Sequence, residues 1–185
     1  MKKLLLLVVI LSFGSTGHTQ GIGFGPQLGY QKSAEADEGS FFGGAAIRLK
    51  LSPALAVEAN ILYRTEEYFD SEGITTSQVK VKNWPVMVTG MFYPIPIAYG
   101  LIGAGWYHST IEYEFDGLDQ VVDEESTETD FGWHFGGGVE LPVSSKVKLA
   151  GDIRYVFLDY DFSAVPGQDV ENNFYMINVG LLFGL

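Results

Sequence analysis

Cysteine is absent from the 185 residues, which excludes disulfide stapling, thiol catalysis and lipid attachment through an N-terminal thiol. Basic residues are scarce: 11 Lys and Arg stand against 23 Asp and Glu, for a formal net charge of −12. Such a chain repels a phosphate backbone, so no nucleic-acid partner is expected. Long apolar runs are also missing. The one continuous stretch, Leu4 to Phe13, falls short of the roughly 20 residues a membrane-crossing helix needs. Lys2 and Lys3 precede it and Gly14, Ser15, Thr16, Gly17, His18 and Thr19 follow. Residues 1–19 therefore read as a secretory signal that is removed, leaving 20–185 as a single domain. With no second apolar run, any membrane crossing has to be made by strands.

Glycine, aromatic and apolar residues are plentiful, and they are arranged with period two. From Thr129 to Leu158, Phe131, Trp133, Phe135, Val139 and Leu141 share one parity, and Asp130, Gly132, His134, Gly136, Gly138 and Glu140 share the other. After a turn at Ser144, Val147, Leu149, Ile153, Tyr155 and Phe157 oppose Lys148, Ala150, Asp152 and Arg154. Both runs predict strands of one hairpin. Folding about Ser144 would set Glu140 opposite Lys148, Gly136 opposite Asp152 and His134 opposite Arg154. The apolar face is large, aromatic and free of charge, whereas the other face holds small residues and charges of opposite sign. That polarity suits a small transmembrane barrel, with lipid outside and a narrow lumen inside.

The rest of the chain continues the pattern. Strands are predicted over 21–32, 41–51, 55–64, 77–93, 98–115 and 173–185 in addition to the hairpin, eight in all. Reflection about Pro53 sets Arg48 opposite Glu58. In the stretch 77–93, Val79 and Val81 have one parity and Trp84, Val86, Val88 and Phe92 the other, so a bulge is expected near Lys82 or Asn83. In 98–115 the expected outward set is Tyr99, Leu101, Tyr107, Ile111, Tyr113 and Phe115, leaving Trp106, His108, Thr110, Glu112 and Glu114 inward. The connectors alternate between long (33–40, 65–76, 116–128, 159–172) and short. Of the 23 acidic residues, all but Glu58, Glu112, Glu114, Glu140 and Asp152 fall in or beside the long ones. Long external loops and short periplasmic turns are the habit of outer-membrane barrels, and an even strand count returns both ends to the periplasmic side.

The segments FGWHFGGGVELP (131–142), KLAGDIRYVFLDYDF (148–162) and NVGLLFGL (178–185) resemble the small eight-stranded outer-membrane barrels of Gram-negative bacteria, in the OmpA-like, OmpX-like and opacity-porin-like group. The resemblance covers everything after the signal and implies an all-β, eight-stranded antiparallel up-and-down barrel in the cell outer membrane. It further implies insertion by the outer-membrane assembly machinery, contact with outer-membrane lipid and lipopolysaccharide, and a monomer. Members usually end in an aromatic residue, whereas this chain ends Phe183, Gly184, Leu185.

The candidate site is a lumen charge network of Arg48, Glu58, Arg64, Glu140, Lys148, Asp152 and Arg154, with Lys50 and Lys80 on the same expected face. Buried charges are tolerable only when paired, so a structural plug is expected, with an ion path as its alternative. His108, Thr110 and Glu112 alternate along one strand and imitate a catalytic set of the kind a lipid A modifying enzyme would use. Their expected inward direction argues against that role, and no catalytic residue is assigned. Segment 116–130 lacks the Asp-x-Asp-x-Asp-Gly order of a calcium loop, and Gly21, Gly23, Gly25 and Gly136 to Gly138 precede no helix that could receive a phosphate. No metal or cofactor is expected. Trp133, Phe131, Tyr63, Tyr30 and Tyr107 toward the loop ends, and Phe24, Tyr99 and Phe183 toward the turn ends, are expected to form interfacial belts. The expected role is structural or interactive at the cell surface, with a closed lumen and acidic external loops. A small cation-preferring pore, a lipid A modifying enzyme and a soluble lipocalin-like carrier are the alternatives.

Overall fold

The computed structural model describes residues 21–33, 39–72, 75–116, 124–158 and 173–184, and for 66–72, 75–80, 111–116 and 124–128 the backbone alone. Residues 1–19, expected as the signal, lie outside the described residues. The strands are β1 (Ile22–Ser33), β2 (Ser40–Lys50), β3 (Leu55–Glu72), β4 (Thr75–Asn83), β5 (Val86–Ile95), β6 (Ala98–Asp116), β7 (Glu124–Pro142), β8 (Val147–Leu158) and β9 (Phe174–Gly184). All pairings are antiparallel. β1 joins β9 in register from Gly23↔Gly184 to Ser33↔Phe174, so the sheet closes on itself.

Nine segments make eight crossings, because β4 and β5 are one strand interrupted at Trp84 and Pro85. Proline has no N–H to give to the ladder. The neighbours bridge the gap: the Leu62 N–H donates to the Pro85 carbonyl at 3.0 Å and the Trp84 N–H to the His108 carbonyl at 3.0 Å. The expected bulge at Lys82 or Asn83 is not there. Arg64↔Asn83 and Ile61↔Val86 lie on one unbroken register with β3, as do Asn83↔Ser109 and Val86↔Trp106 with β6. The irregularity falls instead between Phe92 and Ile95. Odd residues of this strand face the lumen, with Met87, Thr89, Met91 and Tyr93 all buried, and Val81 has the same parity. The polarity pattern changes sides along the strand; the backbone does not.

The stretch expected as a loop at 65–76 is largely a strand extension, paired from Thr65↔Lys82 to Glu72↔Thr75. Part of 116–128 likewise continues β7, paired from Ser109↔Glu128 to Tyr113↔Glu124. The 18 residues of β3, at about 3.3 Å each, outrun a hydrocarbon core of about 30 Å even when tilted. The outer portion of a strand in water no longer needs an apolar exterior, which is why its pattern looked like a loop.

The outward face is the apolar one: Trp133 is 55% exposed and its neighbour His134 is 1%. One strand is inverted relative to expectation. In β6, Tyr99, Leu101 and Tyr107 are buried in the lumen, while Ile102 and Trp106 are exposed outside. Both parities of this stretch are apolar, so periodicity could not choose; hydroxyl partners do. Tyr99 Oη donates to Asp152 Oδ2 at 3.2 Å, and Tyr107 Oη approaches Met87 Sδ at 3.3 Å. Tyr99 and Tyr107 therefore leave the expected belts, while Trp106, in edge contact with Phe131, joins the loop-end belt.

The β7–β8 register also differs by two residues from the expected one. Glu140 faces Ala150, Gly138 faces Asp152 and Gly136 faces Arg154. A four-residue turn, 143–146, moves the mirror point, closed by Ser144 Oγ accepting from the N–H groups of Lys146 and Val147. A shift of two keeps every side chain on its face. Ser52 Oγ closes the β2–β3 turn in the same way, accepting from Ala54 and Leu55, and Arg48↔Glu58 is the observed register there.

Candidate functional site: a charged layer inside the barrel

Inward residues of successive strands meet at three levels. Toward the loop end an apolar cluster contains Phe42, Leu62, Met87, Tyr107, Val156, Leu158, Phe174 and Met176. Toward the turn end lies a smaller one of Ala56, Met91, Tyr93, Tyr99 and Leu101. Between them β3 contributes Glu58, β5 Thr89, β8 Asp152 and Arg154, and β9 Asn178, with Arg48 reaching in from β2.

Glu58 is the hub. Its Oε2 accepts from Arg48 Nη2 at 2.5 Å and Nε at 2.9 Å, and its Oε1 from Arg154 Nη2 at 2.9 Å. Arg154 Nε also donates to Asp152 Oδ1 at 2.6 Å, and Asn178 Nδ2 donates to the same oxygen at 2.8 Å. Arg48 continues through Nη1 to Glu140 Oε2 at 2.7 Å, with its guanidinium 5.1 Å from the Tyr99 ring centroid. Glu140 Oε1 is shared by Lys50 at 2.8 Å and Lys148 at 2.9 Å, and Tyr93 Oη donates to Oε2 at 2.8 Å. Two charges brought from water into such an interior lose several kcal/mol of hydration each. Only near-complete pairing makes the layer tolerable, and each buried carboxylate here has at least two cationic or hydroxyl donors.

Six of the seven expected residues, Arg48, Glu58, Glu140, Lys148, Asp152 and Arg154, thus converge. Arg64 does not join them. It stands six residues along β3 from Glu58, roughly 20 Å, half-buried beside Tyr107 and Phe174 in a cavity of about 50 Å³. Lys80 lies outside the residues whose side chains are described. Tyr93, Tyr99 and Thr89 were missed by the sequence reading. Thr89 Oγ1 lies 2.8 Å from His134 Nε2 and accepts from Arg154 Nη1 at 3.4 Å. The available signal was parity: all three share the face of Met87 and Met91 or of Leu101.

Glycine makes room for these side chains at defined points. A Cβ on Gly103 would run into the His134 ring and the Val88 carbonyl, and one on Gly138 would meet Asp152 and the Tyr99 ring.

Of the residues considered as a catalytic imitation, His108 is not inside the barrel. His108 stacks on outward-facing Trp84 with centroids 4.3 Å apart and planes 17° from parallel, and Thr110 shares its parity. Glu112 lies outside the residues whose side chains are described. For His108 this corrects the expected inward direction.

A closed barrel with a lipid-compatible exterior and a filled, charged interior defines the class: an integral β-barrel of an outer membrane. The chain belongs to the outer membrane protein beta-barrel domain family, whose model matches residues 4–183. None of the curated proteins matches it in sequence. Among solved structures it is similar to a major outer membrane protein of Thermus thermophilus, 13% identical over 89% of this chain and 99% of that one, with a TM-score of 0.60. It is also similar to Ail, the attachment invasion locus protein of Yersinia pestis, solved with the heparin analogue sucrose octasulfate, at 15% identity over 90% and 97%, TM-score 0.54. Neisserial surface protein A matches at 14% identity over 88% and 95%, TM-score 0.54. At these identities the likeness is one of fold. The outer-membrane location follows from the family, and the aromatic face cannot be the interior of a soluble carrier.

Proposed function

We propose that the protein is a closed barrel with a structural and surface-interactive role in the outer membrane, neither a conducting pore nor an enzyme. The observation that carries this reading is the filled cross-section: Glu58, bonded to both Arg48 and Arg154, lies beneath eight buried residues of the loop-end cluster. An eight-stranded barrel has just enough interior for side chains to fill. Residues 1–19 serve as the export signal, the assembly machinery inserts the chain as a monomer, and lipid and lipopolysaccharide surround the aromatic belts. Long connectors face outward and short turns face the periplasm.

Surface interactions then fall to the long connectors and the strand extensions that lead into them, which together carry most of the 23 acidic residues. Their charge opposes a sulfated ligand of the type held by Ail and favours cationic partners. Planar-bilayer conductance of the wild type beside Arg154→Ala tests the reading. A silent wild type, with leakage only in the variant, supports it. Steady cation-selective channels in the wild type would overturn it and make the protein a small pore.

A further inference from the structure

At the turn end the barrel opens into a cavity of about 350 Å³, within the range of about 300–1,000 Å³ usual for small-molecule sites. Arg48, Lys50, Lys146 and Lys148 line it, against one carboxylate, Glu140. That carboxylate is fully engaged, Oε1 by two lysines and Oε2 by Arg48 and Tyr93. Deeper in, Glu58 and Asp152 are engaged by Arg48 and Arg154. Three carboxylates therefore serve four cations, and a fifth, Lys146, has no carboxylate partner among the described residues. In a protein of net charge −12, positive charge is concentrated at one mouth.

Low-dielectric walls strengthen the field of that excess, and they admit a counter-charge at modest desolvation cost because the lysine heads remain partly wet. Lys50 is 23% exposed and Lys148 41%. We propose that this vestibule binds a phosphate-bearing anion, with Lys50, Lys146 and Lys148 as its contacts. Three flexible ammonium groups suit a tetrahedral oxyanion, which does not demand a planar fork. The walls contributed by Ile22 and Leu182 fit an ester as well as the bare ion. Two sources share that chemistry: a soluble phosphate, or the headgroup of a phospholipid in the leaflet at the turn end. The site does not depend on whether the barrel conducts.

The test uses the full protein extracted from bacterial membranes into zwitterionic detergent. Calorimetric titration with inorganic phosphate at constant ionic strength forms one arm. Native mass spectrometry from phosphatidylcholine nanodiscs with added phosphatidylglycerol forms the other. Saturable, Lys146-dependent binding is expected in at least one. Phosphate heat identifies a soluble ligand, and a retained phosphatidylglycerol adduct without phosphate heat identifies a headgroup. Lys146→Gln should weaken binding about threefold, the scale of one partly exposed charge contact. Because Lys146 has no carboxylate to abandon among the described residues, this variant keeps the test sound even where Lys50→Gln with Lys148→Gln fails to fold. Arg64→Gln, at the opposite end of the lumen, should leave binding unchanged. The absence of both signals overturns the proposal, as does an equal loss in Arg64→Gln, which would reduce the effect to overall charge.

Discussion

Glu58 and Arg154 lie 2.9 Å apart, and neither side chain has any exposed surface. A pair in that position contributes little relative to an apolar pair of the same shape, but removing one member strands the other. Glu58→Gln takes one of two carboxylate partners from each of two buried guanidinium groups at once, leaving Arg48 only Glu140 and Arg154 only Asp152. The expected loss of stability is about 3 to 5 kcal/mol, read from urea unfolding in phospholipid vesicles by gel mobility. Lys148→Gln, at a site 41% exposed, should cost at most about 1 kcal/mol. Equal losses in the two variants would mean that water reaches the central layer.

Two glycines only three residues apart in β6 should behave oppositely. Gly103 faces the lumen, and a Cβ there collides with His134 and with the Val88 backbone; at Gly100 a Cβ meets nothing within 4 Å. Gly103→Val is expected to cost about 1 to 3 kcal/mol through overpacking and to lower the refolded fraction. Gly100→Ala should refold like the wild type. A wild-type yield from Gly103→Val would show that His134 can move aside.

The barrel was legible because β1, β7, β8 and β9 alternate cleanly, with bulky residues on one face and glycine or charge on the other. The pairing of Arg48 with Glu58 was equally accessible, since a tight turn at Pro53 fixes a single mirror point. β6 was not legible, because Ile102 and Trp106 on one parity compete with Tyr99, Leu101 and Tyr107 on the other. Nothing local separates them; the difference is made by Asp152 and Met87, which lie on other strands. The loop-end cluster was hidden for a related reason. Phe42, Leu62, Val156 and Phe174 are apolar yet face inward, against the polar-lumen pattern expected of a barrel, and only the parity of their neighbours places them.

The inverted face of β6 has a direct test. Ile102 is 67% exposed on the outside, well within the apolar band. Ile102→Arg should cost about 2 to 4 kcal/mol, as a cation near the bilayer midplane does. Ile102→Leu should be neutral. If β6 had the opposite face inward, the arginine would enter a lumen that already holds carboxylates and the cost would largely vanish.

Trp84 and His108 raise the last question, because an imidazole on the lipid side is placed where a lipid-modifying enzyme would need one. Its surroundings favour anchoring. The ring lies flat against Trp84, beside a cavity that Tyr63 also lines, in the interfacial zone that amphipathic rings favour. A general base must instead reach the proton it removes and be oriented by a hydrogen-bonded partner. Cells producing the protein should therefore show lipid A of unaltered mass by mass spectrometry, and His108→Ala should leave that spectrum unchanged. The same variant should lower stability by about 1 kcal/mol, the scale of a lost aromatic pair. A lipid A mass change that appears with the wild type and disappears with His108→Ala would reverse the assignment and make the Trp84–His108 face an active site.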